Sequence, residues 1–152
     1  MSLDREIATA MGSIPECIAA GYVDMAHGML MSVRTRDTHP QEVLDMVSAA
    51  TADLFQGPTV SEIERRFKQE RGLPADDDHR YFKELIVLSE NLLHVFLRSR
   101  RHPEHAAVFV TRRTANMGMV LTKARMSMDA IGDAVENGTE ADGARVKPLR
   151  SI

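Results

Sequence analysis

The C-terminal part of the chain carries an apolar pattern that restricts the possible folds more than any other feature. Its six apolar residues are spaced strictly by four and three positions: Met117, Leu121, Ala124, Met128, Ile131 and Val135. This spacing is typical of one face of an α-helix. Burying the larger side chains would contribute about 7 to 15 kcal/mol, before the entropy of ordering them is subtracted. We therefore expect a long helix in the core, followed by a flexible tail over residues 137–152.

The first part of the chain predicts one helix and a β-hairpin. Apolar residues at helical spacing follow Ser2, a typical N-cap residue, and Pro15 ends the pattern. Two short apolar runs then flank Gly28, which can adopt the positive φ of a hairpin turn. The predicted strands are Cys17–Asp24 and Met29–Arg34. Alternation in the second strand predicts that one of its faces is more buried than the other.

Two capping-box patterns predict the next helices. Thr38 with Gln41, and Thr59 with Glu62, place a threonine three residues before a glutamine or glutamate. The predicted helices cover residues 38–56 and 59–71. Apolar residues of the first of these spread over about half of its circumference, which is wider than the usual stripe of about 100°.

Three further strands follow a loop that contains an acidic run of three aspartates. The predicted strands are Tyr81–Ser89, Leu92–Arg100 and Ala106–Arg112. Their nearly continuous apolar centres predict burial on both faces, so helices should cover both sides of an antiparallel sheet. Together these elements form one α/β (α+β) domain over residues 1–136.

Composition excludes several classes of function. The formal net charge is -3, which gives no general reason to bind nucleic acid or an anionic membrane. Cys17 is the single cysteine, so the chain cannot form an internal disulfide, and we expect a reducing, cytoplasmic location. The N-terminal residues contain no apolar run typical of a signal peptide or a membrane span.

The sequence nominates no catalytic or metal-binding group. Serine-nucleophile and phosphate-loop motifs are missing from it. His102 and His105 are close together, but Pro103 breaks the helical spacing that paired zinc ligands use. We predict a non-enzymatic protein without cofactor or metal, in which Cys17 and His94 are structural. Catalytic groups need not form motifs, so a site assembled from scattered residues is the remaining enzymatic alternative.

Two sets of side chains could nevertheless form contact surfaces. Arginines cluster at the ends of two predicted neighbouring strands and either form an anion patch or are simply solvated: Arg98, Arg100, Arg112 and Arg113. On the last helix, Met119 and Met126 lie almost opposite the core stripe, with Ala130 nearby. They are either stray surface residues or a second contact line.

The order of elements resembles the roadblock/dynein light chain family. The segments that carry the resemblance are 21–24 with 28–30 (GYVD and GML), similar to the family's first hairpin, and 115–120 (ANMGMV), similar to the entry into its last helix. The match covers most of Ile7 to Val135. A third helix and acidic loop, at about residues 59–78, exceed the compact family pattern.

The resemblance implies a profilin-like, roadblock-like fold: a five-stranded antiparallel sheet with the first and last helices on one face and the second helix on the other. It also implies a homodimer in which the second helices pack together and sheet edges join, although the extra helix puts the edge contact in question. Family members are non-enzymatic adaptors that bind partners such as small Ras-like GTPases. The expected dimer residues are Val43, Leu44, Val47, Thr51, Leu54 and Phe55. The alternative is a small-ligand or anion sensor of profilin-like architecture that uses the arginines and His94.

Overall fold

The computed structural model describes residues 2–37, 41–74 and 76–142, with side chains described outside residues 41–45 and 138–142. The elements are α1 (Leu3–Ser13), β1 (Cys17–Asp24), β2 (Met29–Thr35), α2 (Gln41–Gln56), α3 (Pro58–Glu70), β3 (Glu84–Leu88), β4 (Leu92–Arg98), β5 (His105–Arg112) and α4 (Met117–Asp142). All neighbouring strands pair antiparallel, in the order β2-β1-β5-β4-β3. The predicted fold class, a five-stranded antiparallel sheet with helices, is confirmed.

The local signals for α1 and the first hairpin act as predicted. The Ser2 hydroxyl accepts a hydrogen bond from the Arg5 amide, as an N-cap should. In the hairpin, Gly28 has φ 63°. The Asp24 carboxylate accepts hydrogen bonds from the Ala26 and His27 amides and so holds the turn.

One face of the sheet packs against α1 and α4. Ile7 of α1 meets α4 residues such as Ile131 over the buried rings of Tyr22 and Phe109. The periodic stripe of α4 is therefore in the core, with one exception. Met117, in the first turn, is exposed.

The opposite face packs against α2 through a smaller cluster. Phe55 of α2 lies among Val23, Leu30, Phe96 and Val108. The main strand contacts of α2 are with β2 and β1. Leu85 of β3 also packs against this cluster.

A β-bulge interrupts the alternation predicted for β2. The register shifts between Tyr22 and Val23, so that Tyr22 pairs with Ser32 and Val23 with Leu30. Consequently Met31 packs with the α1 and α4 cluster, where the Ser32 hydroxyl also donates to Asp4 at 2.6 Å. The prediction of one continuously buried face was wrong because a bulge puts two successive residues on the same side.

The start of α3 and the burial of β3 were also predicted incorrectly. Helix α3 begins at Pro58 with Gly57 as N-cap, and Glu62 bonds Arg65 and Arg66 instead of closing a capping box with Thr59. Proline suits this position because its missing N–H would have no intrahelical partner. Strand β3 lies at the edge of the sheet, where Ile86, Val87 and Leu88 are exposed. An apolar run by itself does not distinguish a central strand from an edge strand.

Helix α4 continues through Asp142, so residues 137–142 are helical where the sequence predicted a tail. Residues 143–152, together with the predicted helix start at Thr38, lie outside the described residues. Among the residues that are described, no helix has the length and apolar character needed to cross a membrane.

Candidate interaction surfaces

The outer face of α2 carries exposed apolar side chains. Met46 is 63% exposed, and Val47 and Leu54 are 40% exposed each. Val47 and Leu54 are seven residues apart and lie on one side of the helix, and Met46 is about 100° from Val47 around the helix axis. They form one stripe, which we call the α2 outer stripe.

The α2 outer stripe corrects the expected set of dimer residues. Thr51 and Phe55 are 0% exposed, since Phe55 is in the core and the Thr51 hydroxyl donates to the Val47 carbonyl at 2.8 Å. Neither can contact another molecule. Val47 and Leu54 are available, Met46 joins them, and the side chains of Val43 and Leu44 lie outside the described residues.

The outer edge of β3 is the second exposed feature, and sequence reasoning missed it. Among the residues that the structure describes, strand β3 pairs with β4 alone, so its other edge carries backbone groups outside the sheet ladder. Ile86, Val87 and Leu88 are exposed beside it. Three consecutive exposed apolar residues on an open edge are unusual because such edges promote association.

The inserted helix α3 is held in place by a buried carboxylate. Glu64 is 2% exposed and accepts hydrogen bonds from Arg80 Nη1 at 3.0 Å and from the Tyr81 amide at 2.8 Å. The Phe67 and Tyr81 rings pack edge to face with centroids 5.3 Å apart. Glu64 thereby fixes α3 to the segment that leads into β3, a role that no sequence motif indicated.

Arg98, one of the predicted anion-binding residues, contacts the C-terminus of α2. Its guanidinium is buried over the Phe55 ring, and Nη2 donates to the Phe55 carbonyl at 3.2 Å and to Gln56 Oε1 at 3.3 Å. A cation at the last carbonyls of a helix is favourable. Burial lowers the pKa of Arg98. The side chain therefore caps the C-terminus of α2.

The predicted arginine patch is divided: Arg98 and Arg100 line one cleft, whereas Arg112 and Arg113 lie at the other end of the strands. Arg98 pairs with Ala106, whereas Arg112 pairs with Leu92 at the other end of the same two strands. The two arginines are about 20 Å apart along the strand direction, at roughly 3.3 Å per residue. In an antiparallel hairpin, the residues on either side of the turn lie close together. Arg112 is instead at the end of β5 that is farthest from the turn.

A cleft of about 330 Å³ lies between α4 and the loop that follows β4, and its walls include Arg100, Arg101 and Arg125. Two of these guanidinium groups are already paired. Arg101 contacts Asp133 at 2.6 Å, and Arg125 forms two hydrogen bonds with Glu84, at 2.9 and 2.7 Å. The hydrogen bonds from Arg125 lower the pKa of the Glu84 carboxyl. Arg101 and Arg125 are therefore paired with carboxylates of the same chain, and Arg98 also lines the cleft.

Cys17, His94 and His105 make contacts within the fold. His105 Nδ1 lies 3.1 Å from the Tyr22 hydroxyl, and burial lowers the pKa of His105 and raises that of Tyr22 to about 12. His94 contacts Ser89 on the α2 side, far along the strand from Arg98. Burial also raises the pKa of the Cys17 thiol. Within the described part of the chain, no three histidine, cysteine or acidic side chains are placed to hold a metal ion.

The predicted outward methionines of α4 are exposed. Met126 is 68% and Met119 47% exposed, and Ala130 is partly exposed on the same side. This surface is separate from the α2 outer stripe, because α2 and α4 pack on opposite faces of the sheet.

Solved structures with the same fold are known, although no protein-family model and no curated protein matches this sequence. A Roadblock/LC7 domain from Streptomyces avermitilis is 14% identical, with a TM-score of 0.63 over 90% of this chain and 99% of that one. MglB from Myxococcus xanthus is 11% identical, with a TM-score of 0.64 over 89% of this chain and 95% of that one. The gliding protein MglB from Thermus thermophilus is 16% identical, with a TM-score of 0.62 over 90% and 93% of the two chains. The element order, the antiparallel sheet and these likenesses together identify the fold of this chain as a roadblock-type fold.

Proposed function

We propose that this protein is a non-catalytic adaptor or regulator that works as a homodimer and binds a partner protein, such as a small Ras-like GTPase. The α2 outer stripe is the observation that carries this proposal. Contact between its apolar side chains and water is unfavourable, and a second copy would shield them from water.

A two-fold dimer uses the same surface of both subunits, and the α2 outer stripe suits such a contact. Met46 supplies an adaptable side chain, while Val47 and Leu54 supply apolar area.

The outer edge of β3 supports the same dimer. Ile86, Val87 and Leu88 remain exposed beside this edge in the presence of the inserted helix. Pairing of β3 with its copy would extend the sheet and satisfy the open backbone groups.

The choice of a GTPase partner rests on the resemblance to the roadblock family and on the likeness of fold to MglB. The sensor alternative has weaker support, because Arg98 and Arg112 lie at opposite ends of their strands and because Arg101 and Arg125 are paired with carboxylates.

Light scattering during size exclusion tests the dimer. We expect wild type to elute as a dimer and Leu54→Glu as a folded monomer, because the glutamate would be buried unpaired in the interface. Gln69→Glu, an exposed change on α3, is the matched control and should remain dimeric. A wild type that stays monomeric at high micromolar concentration would contradict the dimer.

Affinity capture from the native host tests the partner. We expect a small GTPase to be recovered with the tagged protein in a manner that depends on its bound nucleotide. Recovery of the same proteins in the GDP and GTP states, without any GTPase among them, would contradict this part of the proposal.

A further inference from the structure

The cleft between α4 and the loop that follows β4 has the size and mixed lining of a small-molecule site. Its volume of about 330 Å³ is in the range that pockets for small ligands usually have. Leu97, which is buried, and Met128, which is partly buried, form the apolar part of its lining. The rest of the lining is mainly charged, so the choice of ligand depends on which charges are free to bind one.

Two arginines of the cleft are held in place by partners within the chain. Arg125 donates two hydrogen bonds to Glu84, at 2.9 and 2.7 Å, and such a two-point contact fixes the orientation of a guanidinium. Arg101 donates to Asp133 at 2.6 Å and to a backbone carbonyl of α4 at 3.0 Å. These arginines therefore form walls whose charges are already compensated.

One guanidinium and one carboxylate of the lining have no such partner. Within the part of the chain that the structure describes, no ion pair or side-chain hydrogen bond reaches the guanidinium of Arg100 or the carboxylate of Asp129. Arg100 is in the loop after β4 and Asp129 is in α4, so they line the cleft from its two sides. Arg98 adds no further free charge, because its guanidinium lies over the Phe55 ring.

We propose that this cleft binds a free amino acid with an aliphatic side chain. The carboxylate of the ligand pairs with Arg100, and its ammonium group pairs with Asp129. Its side chain packs against Leu97 and Met128, where contact between apolar groups replaces contact with water.

The two free charges of opposite sign are the reason for choosing a zwitterion. A simple anion such as phosphate is attracted by Arg100 but repelled by Asp129, and for a simple cation the two effects are reversed. A ligand that carries both charges is attracted by both residues. The guanidinium also offers two parallel donors to the ligand carboxylate, which orients it.

Ligand binding here is independent of the proposed dimer, because α4 and α2 pack on opposite faces of the sheet. Of the four arginines that the sequence nominates for an anion patch, this site uses Arg100 alone as a free charge. The proposal thus adds a small-molecule site to the adaptor role, and neither requires the other.

Calorimetric titration of the full chain near neutral pH tests the ligand. The probes are L-leucine, L-isoleucine, L-valine and L-methionine, and we expect saturable binding of at least one of them. Its N-acetyl derivative, which lacks the ammonium group, and its amide, which lacks the carboxylate, should each bind at least about tenfold more weakly. Failure of all four to bind at about 10 mM, or equal binding of the N-acetyl derivative, would overturn the proposal.

Two substitutions test the site itself. Arg100→Gln and Asp129→Asn should each raise the dissociation constant at least about tenfold, because each removes one of the two free charges. Both residues are exposed, so the variants should fold, which circular dichroism verifies. Arg34→Gln in β2 and Asp78→Asn before β3 are matched changes at exposed positions and should leave the affinity unchanged. Unchanged affinity in Arg100→Gln or in Asp129→Asn would exclude this cleft, while the light-scattering test of the dimer stands apart from either result.

Discussion

Glu64 Oε1 and Arg80 Nη1 are 3.0 Å apart, and this ion pair fastens the inserted helix to the segment that precedes β3. Within α3, which is described completely, Glu64 is the one buried residue. The helix is thus anchored by a polar contact, while Ile63 and Phe67 remain partly exposed.

We expect Glu64→Ala to destabilise the protein by about 3 kcal/mol, because it leaves the Arg80 guanidinium and the Tyr81 amide without their partner. Urea unfolding followed by circular dichroism measures the change. Glu62→Ala is the matched control, since Glu62 makes only exposed ion pairs with Arg65 and Arg66 and should cost less than about 1 kcal/mol. Equal losses in the two variants would show that Glu64 does not anchor α3.

Substitutions at the adjacent α2 residues Leu54 and Phe55 should differ in their effect on the stability of the monomer. Phe55→Ala should lower the free energy of unfolding by about 3 to 5 kcal/mol, because Phe55 is fully buried and its loss leaves a cavity. Leu54→Ala should change it by about 0.5 kcal/mol or less in the monomer. Denaturation at low protein concentration gives both values, and a large monomer cost for Leu54→Ala would mean that this side chain packs against the protomer.

The Gly132 position should behave unlike an ordinary helix glycine. A Cβ added there would lie 3.3 Å from Cζ and Nε of Arg101, whose guanidinium is held by Asp133 and by the Asp129 carbonyl. Gly132→Ala should therefore not provide the stabilisation of about 1 kcal/mol that replacing glycine by alanine normally gives in a helix.

A double-mutant cycle isolates this effect. In the Arg101→Ala background the crowding is gone, so Gly132→Ala should stabilise by about 1 kcal/mol. Thermal unfolding of the four proteins gives the coupling energy, and additive effects would show that Arg101 moves aside without cost.

Stability should fall as the pH drops below about 6.5, the ordinary histidine value. Burial lowers the pKa of His105 in the folded protein, and the nearby His102 and His27 oppose its protonation while Asp24 favours it. The unfolded chain consequently binds more protons than the folded one between the two pKa values. The stabilisation is complete above the unfolded pKa and is lost as the pH falls towards the folded one.

The corresponding measurement is urea unfolding between pH 5 and pH 8 for wild type and His105→Gln. The variant should show a shallower decline, although not a flat one, because burial also lowers the pKa of His94. A decline of the same steepness in both proteins would exclude His105 as a source of the pH dependence.

Local patterns in the sequence were sufficient to predict most of the helices and strands. The apolar spacing of α4, the Ser2 cap and the Gly28 turn each report a structure formed by residues close together in the chain. Exposure of Met119 and Met126 followed from the same helical geometry. These predictions needed no knowledge of the sheet.

Tertiary structure decided which of those residues meet. The wide apolar surface of α2 could be read from the sequence, but only its docking on β1 and β2 assigns Phe55 to the core and Leu54 to the surface. Strand order put β3 at an edge and separated Arg98 from Arg112. Periodicity fixes the faces of a single element, whereas contacts between distant elements depend on the order and direction of the strands, which local spacing does not encode.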